Sequence, residues 1–270
     1  LIQNADDSKY DVCKSRNDKP YLRFKATPDT LIIDTNEDGF TRANIEAICA
    51  TGKSSKKATE ADDHIGEKGF GFKSVFSIAD EVQVQSGLWS FCFRHRKGED
   101  GLGMVTPLDA VPDVLPADVT TRITLRYSEG AKQEYQRLLE AIQDLPDTTI
   151  LFLNKLEAFH IELFGSDGQC ERTSFIKRYN ATRSLATICI NGTRSDELTF
   201  LLFRNMKQNM PSHERRPGQQ NCNIELAFPI YADVCQPKLS NLGEHVFAFL
   251  PLQRLAQIPV SFYHPTKAVF

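Results

Sequence analysis

"IGEKGFGFKSVFSIAD", residues 65–80, decides how the rest of this chain is read. Glycines stand at 66, 69 and 71, and the apolar residues Phe72, Val75, Phe76 and Ala79 that follow lie at helical spacing. Two familiar motifs fail on spacing. A dinucleotide fingerprint needs a third glycine where Ser74 stands. The "GKS" at 52–54 would need an earlier glycine at Ala47, inside a predicted helix. Two readings of the glycines remain. One is a turn built for close packing; the other is an anion cradle, because glycine admits unusual backbone conformations and the amides at a helix start are free. Lys53, Lys56, Lys57, Lys68 and Lys73 bracket the stretch.

Upstream of it, "ATGKSSKKATEADDH" (50–64) is small, charged and without period, and reads as a mobile loop over 51–64. "TLIIDTNEDGF" (30–40) reads as a buried strand over Thr30–Ile33 and a loop over Asn36–Gly39. Thr41 is placed to cap a short helix carrying Ile45 and Ile48. The chain opens on "LIQNADD" (1–7), a helix extending to about Tyr10. Downstream, "EVQVQSG" (81–87) and "LWSFCFRH" (88–95) alternate as paired strands joined at Ser86-Gly87, with Trp89 expected in the core and His95 in packing or at the surface, as is His64. "TTRITLRY" (120–127) is another strand, and Gln133–Gln143 a helix with Tyr135, Leu138, Leu139 and Ile142 on one side. Beyond 150 the pattern turns to strands. A hairpin is expected to turn at Ser166-Asp167-Gly168, followed by strands in "ATICIN" (186–191), "LTFLLFR" (198–204), "IELAFPI" (224–230) and "VFAFLPL" (246–252). A long exposed loop is expected at 207–222. The boundary is placed near residue 155, giving a domain over 1–155 and a β-rich region over 156–270.

A net charge of -3 and a pI near 6.1 give no electrostatic reason to expect nucleic acid or an anionic membrane as partner. No run of ~20 apolar residues is present, so no membrane-spanning segment is expected. Seven cysteines, an odd and dispersed set, point to reduced thiols and hence to an intracellular protein, cytoplasmic or nuclear.

"LIQNADD", "LIIDTNEDGF" and "IGEKGFGFKSVFSIAD", in this order and at these separations, together resemble the Bergerat-fold (GHKL) ATPases. These include the ninety-kilodalton heat-shock chaperones, gyrase B, MutL, MORC proteins and histidine kinases. The third segment is most similar to the chaperone branch. The first two and "FAFLPL" are closer to the sacsin and NO VEIN type of large plant and fungal protein. The resemblance covers roughly residues 1–125 and implies an α+β fold: a two-layer α/β sandwich, its mixed sheet covered by helices on one face, followed by a β-rich region.

Its functional residues carry over by position. Asn4 matches the asparagine that coordinates the magnesium bridging the nucleotide phosphates, a hard cation suited to an amide oxygen. Asp7 sits a turn further along the helix. The aspartate that reads adenine falls five positions before Phe40, which is Thr35 here; Asp34, Asn36 and Asp38 are all near, and Asp34 is favoured because it ends the strand. Gly39 keeps the tight turn beside the base. Lys53, Ser54 and Lys56 match the start of the ATP lid. Gly66, Gly69, Gly71 and Phe72 match its far hinge, whose amides would cradle phosphate. Thr121 matches a threonine near the adenine, with Thr120 where a glycine is usual. The glutamate that acts as general base stands four residues before the asparagine, one position before Leu1, so no catalytic residue is assigned within the chain. The resemblance thus implies a Mg-ATP-binding module, with ATP hydrolysis expected only in an intact parent protein and a protein client as partner. The alternative is a degenerate, non-hydrolysing nucleotide-binding or protein-interaction scaffold.

Overall fold

The computed structural model describes residues 1–49, 70–96, 101–128, 132–165, 167–168, 170–179, 185–190, 197–209, 211, 221–231, 236–237, 244–248 and 250–255. The described residues form an α+β structure in two units.

In the first unit (1–145 with 153–176), strand alternation sorts the sheet into two unlike faces. β1 (Tyr21–Ala26) pairs antiparallel with β2 (Thr30–Thr35), setting Leu22, Phe24 and Ala26 opposite Thr35, Ile33 and Leu31. All six are buried. β2 pairs with β6 (Thr121–Tyr127), and β6 with β3 (Ala79–Ser86). β3 turns through Gly87-Leu88 into β4 (Trp89–Arg94), with Gly87 at φ +57° where a residue bearing a Cβ would be strained. The two-residue β5 (Leu108–Asp109) closes the β4 edge. On the other side, β7 (Ala158–Phe164) runs parallel to β1, and β8 (Cys170–Tyr179) lies beside β7. The order is β7-β1-β2-β6-β3-β4-β5, a mixed sheet. The apolar face continues through Leu125, Val82, Val84, Phe91, Phe93, Phe159, Ile161 and Leu163. At about 25 cal/mol per Å² of apolar surface removed from water, such a face is the main driving force for folding.

The opposite face is charged. Asp34 takes two hydrogen bonds from the Arg122 guanidinium, at 2.7 and 2.8 Å. Glu81 bridges Arg94 and Arg126 at 2.7 and 2.9 Å. Residues 110–118 cross this face, held where Gln83 donates to the Val111 carbonyl and Gln85 exchanges two hydrogen bonds with the Asp113 backbone. Tyr21 and Arg23 hold the Asp118 carboxylate at 2.9 and 3.1 Å.

Helices cover the apolar face. Past the glycines, α4 (Phe70–Lys73) gives way to a 3-10 turn (Ser74–Ser77), and Phe72 and Phe76 stand edge-on to Phe93. The continuous helix expected through Ala79 is not formed: Ala79 already opens β3, buried as its first residue. Val75 and Phe76 are buried as their spacing implied. α3 (Arg42–Cys49) begins as expected, with Asn44 Oδ1 accepting from the Thr41 amide and hydroxyl at 2.8 and 2.5 Å. α5 (Lys132–Gln143) buries Ile142. His95 is buried against Phe76, whereas Trp89, expected in the core, is 38% exposed beside the hairpin turn. His64 lies outside the described residues.

Gly103 shows a different constraint. A Cβ there would stand 2.0 Å from the Arg94 carbonyl oxygen, a backbone atom that cannot swing away. Gly103→Ala is therefore expected to push the 3-10 turn Gly101–Met104 off β4 and lower stability by about 1–3 kcal/mol in a denaturant titration.

The second unit (146–152 with 177–270) contains a 3-10 helix over Asp147–Phe152 and β9 (Leu185–Ile190), β10 (Glu197–Lys207), β11 (Cys222–Tyr231) and β12 (Gln236–Pro237), paired in that order. β13 (Glu244–Ala248) and β14 (Leu250–Leu255) form a separate two-stranded sheet. The unit is β-rich, but its limits differ from a cut near 155. The strand at 158–164 is spent on β1 in the first unit, while 146–152 belongs with the second. A parallel partner more than a hundred residues away in sequence leaves no local trace.

Candidate functional site

The polar end of the apolar face is the candidate site. The pairings β2–β6 and β6–β3 put Thr35, Thr121 and Ser86 side by side across three strands, where their neighbours further along are Ile33, Ile123 and Val84. All three hydroxyl residues are buried. Ser86 Oγ accepts from the Phe40 amide at 2.7 Å and lies 2.6 Å from Thr121 Oγ1. Gly39 turns beside this row at φ +93°; a Cβ would lie 3.5 Å from Thr120 Cγ2 and 3.6 Å from Ser86 Oγ, so the backbone conformation and not the space calls for glycine.

Glu37 lies between this row and the first helix, α1 (Ile2–Asp7). It is 6% exposed, within hydrogen-bonding reach of the Ser8 and Thr121 hydroxyls, and its Oε1 has no partner among the described residues. Buried Thr35 Oγ1 likewise has none. Burial pushes the Glu37 carboxyl above the usual carboxylate range; the two hydroxyls oppose the rise and the neighbouring Asp38 charge adds to it.

α1 is fastened by groups far away in sequence. The buried Asp6 carboxylate accepts from three consecutive amides, Asn154, Lys155 and Leu156, at 2.9, 2.8 and 2.9 Å. Lys155 Nζ caps the helix end, donating to the Asp7 and Ser8 carbonyls at 3.0 and 2.8 Å. Tyr10, also buried, donates to the Ala5 carbonyl at 2.9 Å. Asn4 is exposed on this anchored helix, one turn before Ser8, whose hydroxyl donates to the Asn4 carbonyl at 3.0 Å.

The expected site residues are thus sorted. Thr121 neighbours the buried Glu37, Gly39 turns beside Ser86, and Asn4 and half-buried Asp7 share the helix whose C-cap, Ser8, also neighbours Glu37. Asp34 does not join them: it points to the charged face and is engaged by Arg122, with Arg23 3.8 Å away. Asn36 is also spent, its Oδ1 accepting from the Tyr21 amide at 2.9 Å and its Nδ2 donating to the Lys19 carbonyl at 2.9 Å. Asp38 caps α2 (Asp11–Ser15), accepting from the Asp11 and Val12 amides, both at 2.9 Å. Gly71 and Phe72 lie in the four-residue α4, too short for a helix-terminus anion site, and Phe72 packs on Phe93. Lys53, Ser54, Lys56, Gly66 and Gly69 lie outside the described residues. Glu37, Ser8 and Ser86 were not singled out as site residues in the sequence, whereas Thr35 was reached as the position matching the adenine-reading aspartate. The signal was there: Leu31, Ile33 and Thr35 alternate toward the core, which turns Asp34 away and leaves Glu37 as the next carboxylate along the chain.

Among the described residues no group of three or more His, Cys, Asp or Glu side chains is placed to hold a metal ion. No helix among them is long and apolar enough to cross a membrane.

The class of protein is accordingly an α/β sandwich, with an anchored polar helix over one end of its sheet, accompanied by a β-rich unit. No family model matches the chain. It is 32% identical over 271 residues to Protein NO VEIN of Arabidopsis thaliana, an alignment taking in 94% of this chain and 9% of that protein, and the relationship is of NO VEIN type. The chain therefore spans about a tenth of the length of the relative it matches.

Proposed function

We propose that this chain is a Mg-ATP-binding module of the GHKL kind, part of a chaperone-like ATPase. The observation that carries the reading is a buried carboxyl, Glu37, with an oxygen lacking a partner, set among hydroxyls beside the helix that presents Asn4. An orphaned buried acceptor is costly unless something donates to it, and a nucleotide base supplies such a donor. Glu37 and Thr121 hold the base end, with Gly39 keeping the backbone turn beside it. Asn4, an exposed amide on a fixed helix, offers its oxygen toward the phosphate end. Magnesium would arrive with the nucleotide and take phosphate and water oxygens beside one amide. When bound, the ion neutralises phosphate charge.

Hydrolysis belongs to this proposal only for the parent protein. Asp6 is consumed by the 154–156 amides, so it is not available to activate water beside Asn4. That observation also favours the second reading, a nucleotide-binding scaffold that does not hydrolyse.

The test is calorimetric titration of Mg-ATP into the chain and into Asn4→Ala, each with and without a chelator. The substitution is expected to weaken Mg-ATP binding about 10–100-fold and to make the remaining affinity insensitive to chelation. Equal affinity of the two proteins for Mg-ATP would contradict the placement of Asn4.

A further inference from the structure

We propose that Glu37 reads the base as a neutral carboxylic acid, donating a hydrogen bond to a ring nitrogen while its carbonyl oxygen accepts from the exocyclic amine, so that losing this one proton switches nucleotide binding off as pH rises. The inference rests on the reading of this site as a nucleotide pocket.

Few hydroxyl protons are left for Glu37 among the described residues. The Ser8 hydroxyl has one proton to divide between Glu37 and the Asn4 carbonyl, 3.0 Å away. Ser86 takes the Phe40 amide and shares one proton with Thr121. At most one further proton of that pair is free for Glu37, and Oε1 receives none. An ionised carboxylate has about four lone-pair positions to fill, so this setting starves it; a protonated acid needs fewer donors and supplies one.

The titratable groups near Glu37 are Tyr10, from the segment after α1, and Asp38, from its own loop. Neither is cationic. The nearby Lys155 ammonium is directed at the Asp7 and Ser8 carbonyls. Burial and these neighbours both favour the uncharged acid, in keeping with the upward shift of the group.

The Watson–Crick edge of adenine presents a donor, the amino group, beside an acceptor, the ring nitrogen. An ionised carboxylate offers acceptors alone; the neutral acid matches both positions. An acid whose folded-state ionisation is raised also stabilises the fold below its ordinary range and loses that contribution as pH rises through the shifted value.

The experiment is Mg-ATP titration calorimetry from mildly acid to mildly alkaline pH on the wild-type chain and on Glu37→Gln, with circular dichroism at each pH to establish folding. Gln keeps both a donor and an acceptor but cannot ionise. Wild type is expected to lose about tenfold affinity per pH unit above the ionisation. E37Q is expected to hold its affinity and bind more tightly than wild type at the alkaline end. A flat wild-type profile, a parallel decline in both proteins, or a folded E37Q that binds nothing would overturn the proposal. Carbon-13 NMR of the Glu37 carboxyl in the wild-type chain gives a second readout; titration in the ordinary carboxylate range would also overturn it. Wild type binding no Mg-ATP at any pH would overturn the nucleotide-pocket reading itself, a distinct outcome.

Discussion

Replacing Asp6 with Ala is expected to lower stability by about 3–5 kcal/mol. Three adjacent backbone N–H groups at 154–156 end on this one buried carboxylate. Hydrogen bonds to a charged group contribute more than neutral ones, and each donor left buried without a partner costs about 1–3 kcal/mol before water relieves part of it. The bonds join positions about 150 apart in sequence, so the intervening chain cannot hold α1 in place when they are lost. Asp6→Asn keeps one acceptor oxygen but turns an amino group toward the donors, and an intermediate loss is expected. Urea unfolding followed by circular dichroism measures both. Nucleotide affinity should fall with them, because the helix that presents Asn4 loses its anchor. A loss below about 1 kcal/mol for D6A would show that the rest of the α1 packing suffices without this contact.

Asp34→Asn separates stability from binding. Asp34 and Arg122 form a two-point ion pair with little exposure, on the face of the sheet away from Glu37. Neutralising one partner of such a pair leaves a guanidinium without its hydrogen-bonded counter-ion, and a loss of about 3 kcal/mol is expected. Removing both, as in Asp34→Leu with Arg122→Leu, should cost less than the sum of the single changes. Below the unfolding midpoint, D34N is expected to bind Mg-ATP like wild type. A large fall in affinity with stability intact would place the base reader on Asp34 and overturn the assignment to Glu37.

Features written locally in the chain were the legible ones. Thr41 with Asn44 marks the start of α3, and the alternation on either side of Ser86-Gly87 gives the β3–β4 hairpin. Thr121 was reached through resemblance, and the structure sets it against Glu37. What stayed hidden depends on partners distant in sequence. Nothing near Asp6 announces that its carboxylate binds residues 154–156, and nothing near Ala158 announces a parallel register with Tyr21. Asp34 lies on the other face of the sheet from Thr35. Counting positions back from Phe40 arrives at Thr35, and choosing the adjacent carboxylate disregards that neighbouring residues of a strand face opposite ways. Strand parity alone turns Asp34 outward and leaves Glu37, two residues past Thr35, as the buried carboxylate beside Thr121.

The most direct test of the central claim is backbone hydrogen–deuterium exchange of this chain with and without saturating Mg-ATP. Slowed exchange is expected over Ile2–Tyr10, over 35–40 and at the adjoining ends of β3 and β6 around Ser86 and Thr121, with β9–β11 unchanged. Protection confined to other segments, or no protection at saturating nucleotide, would contradict the account.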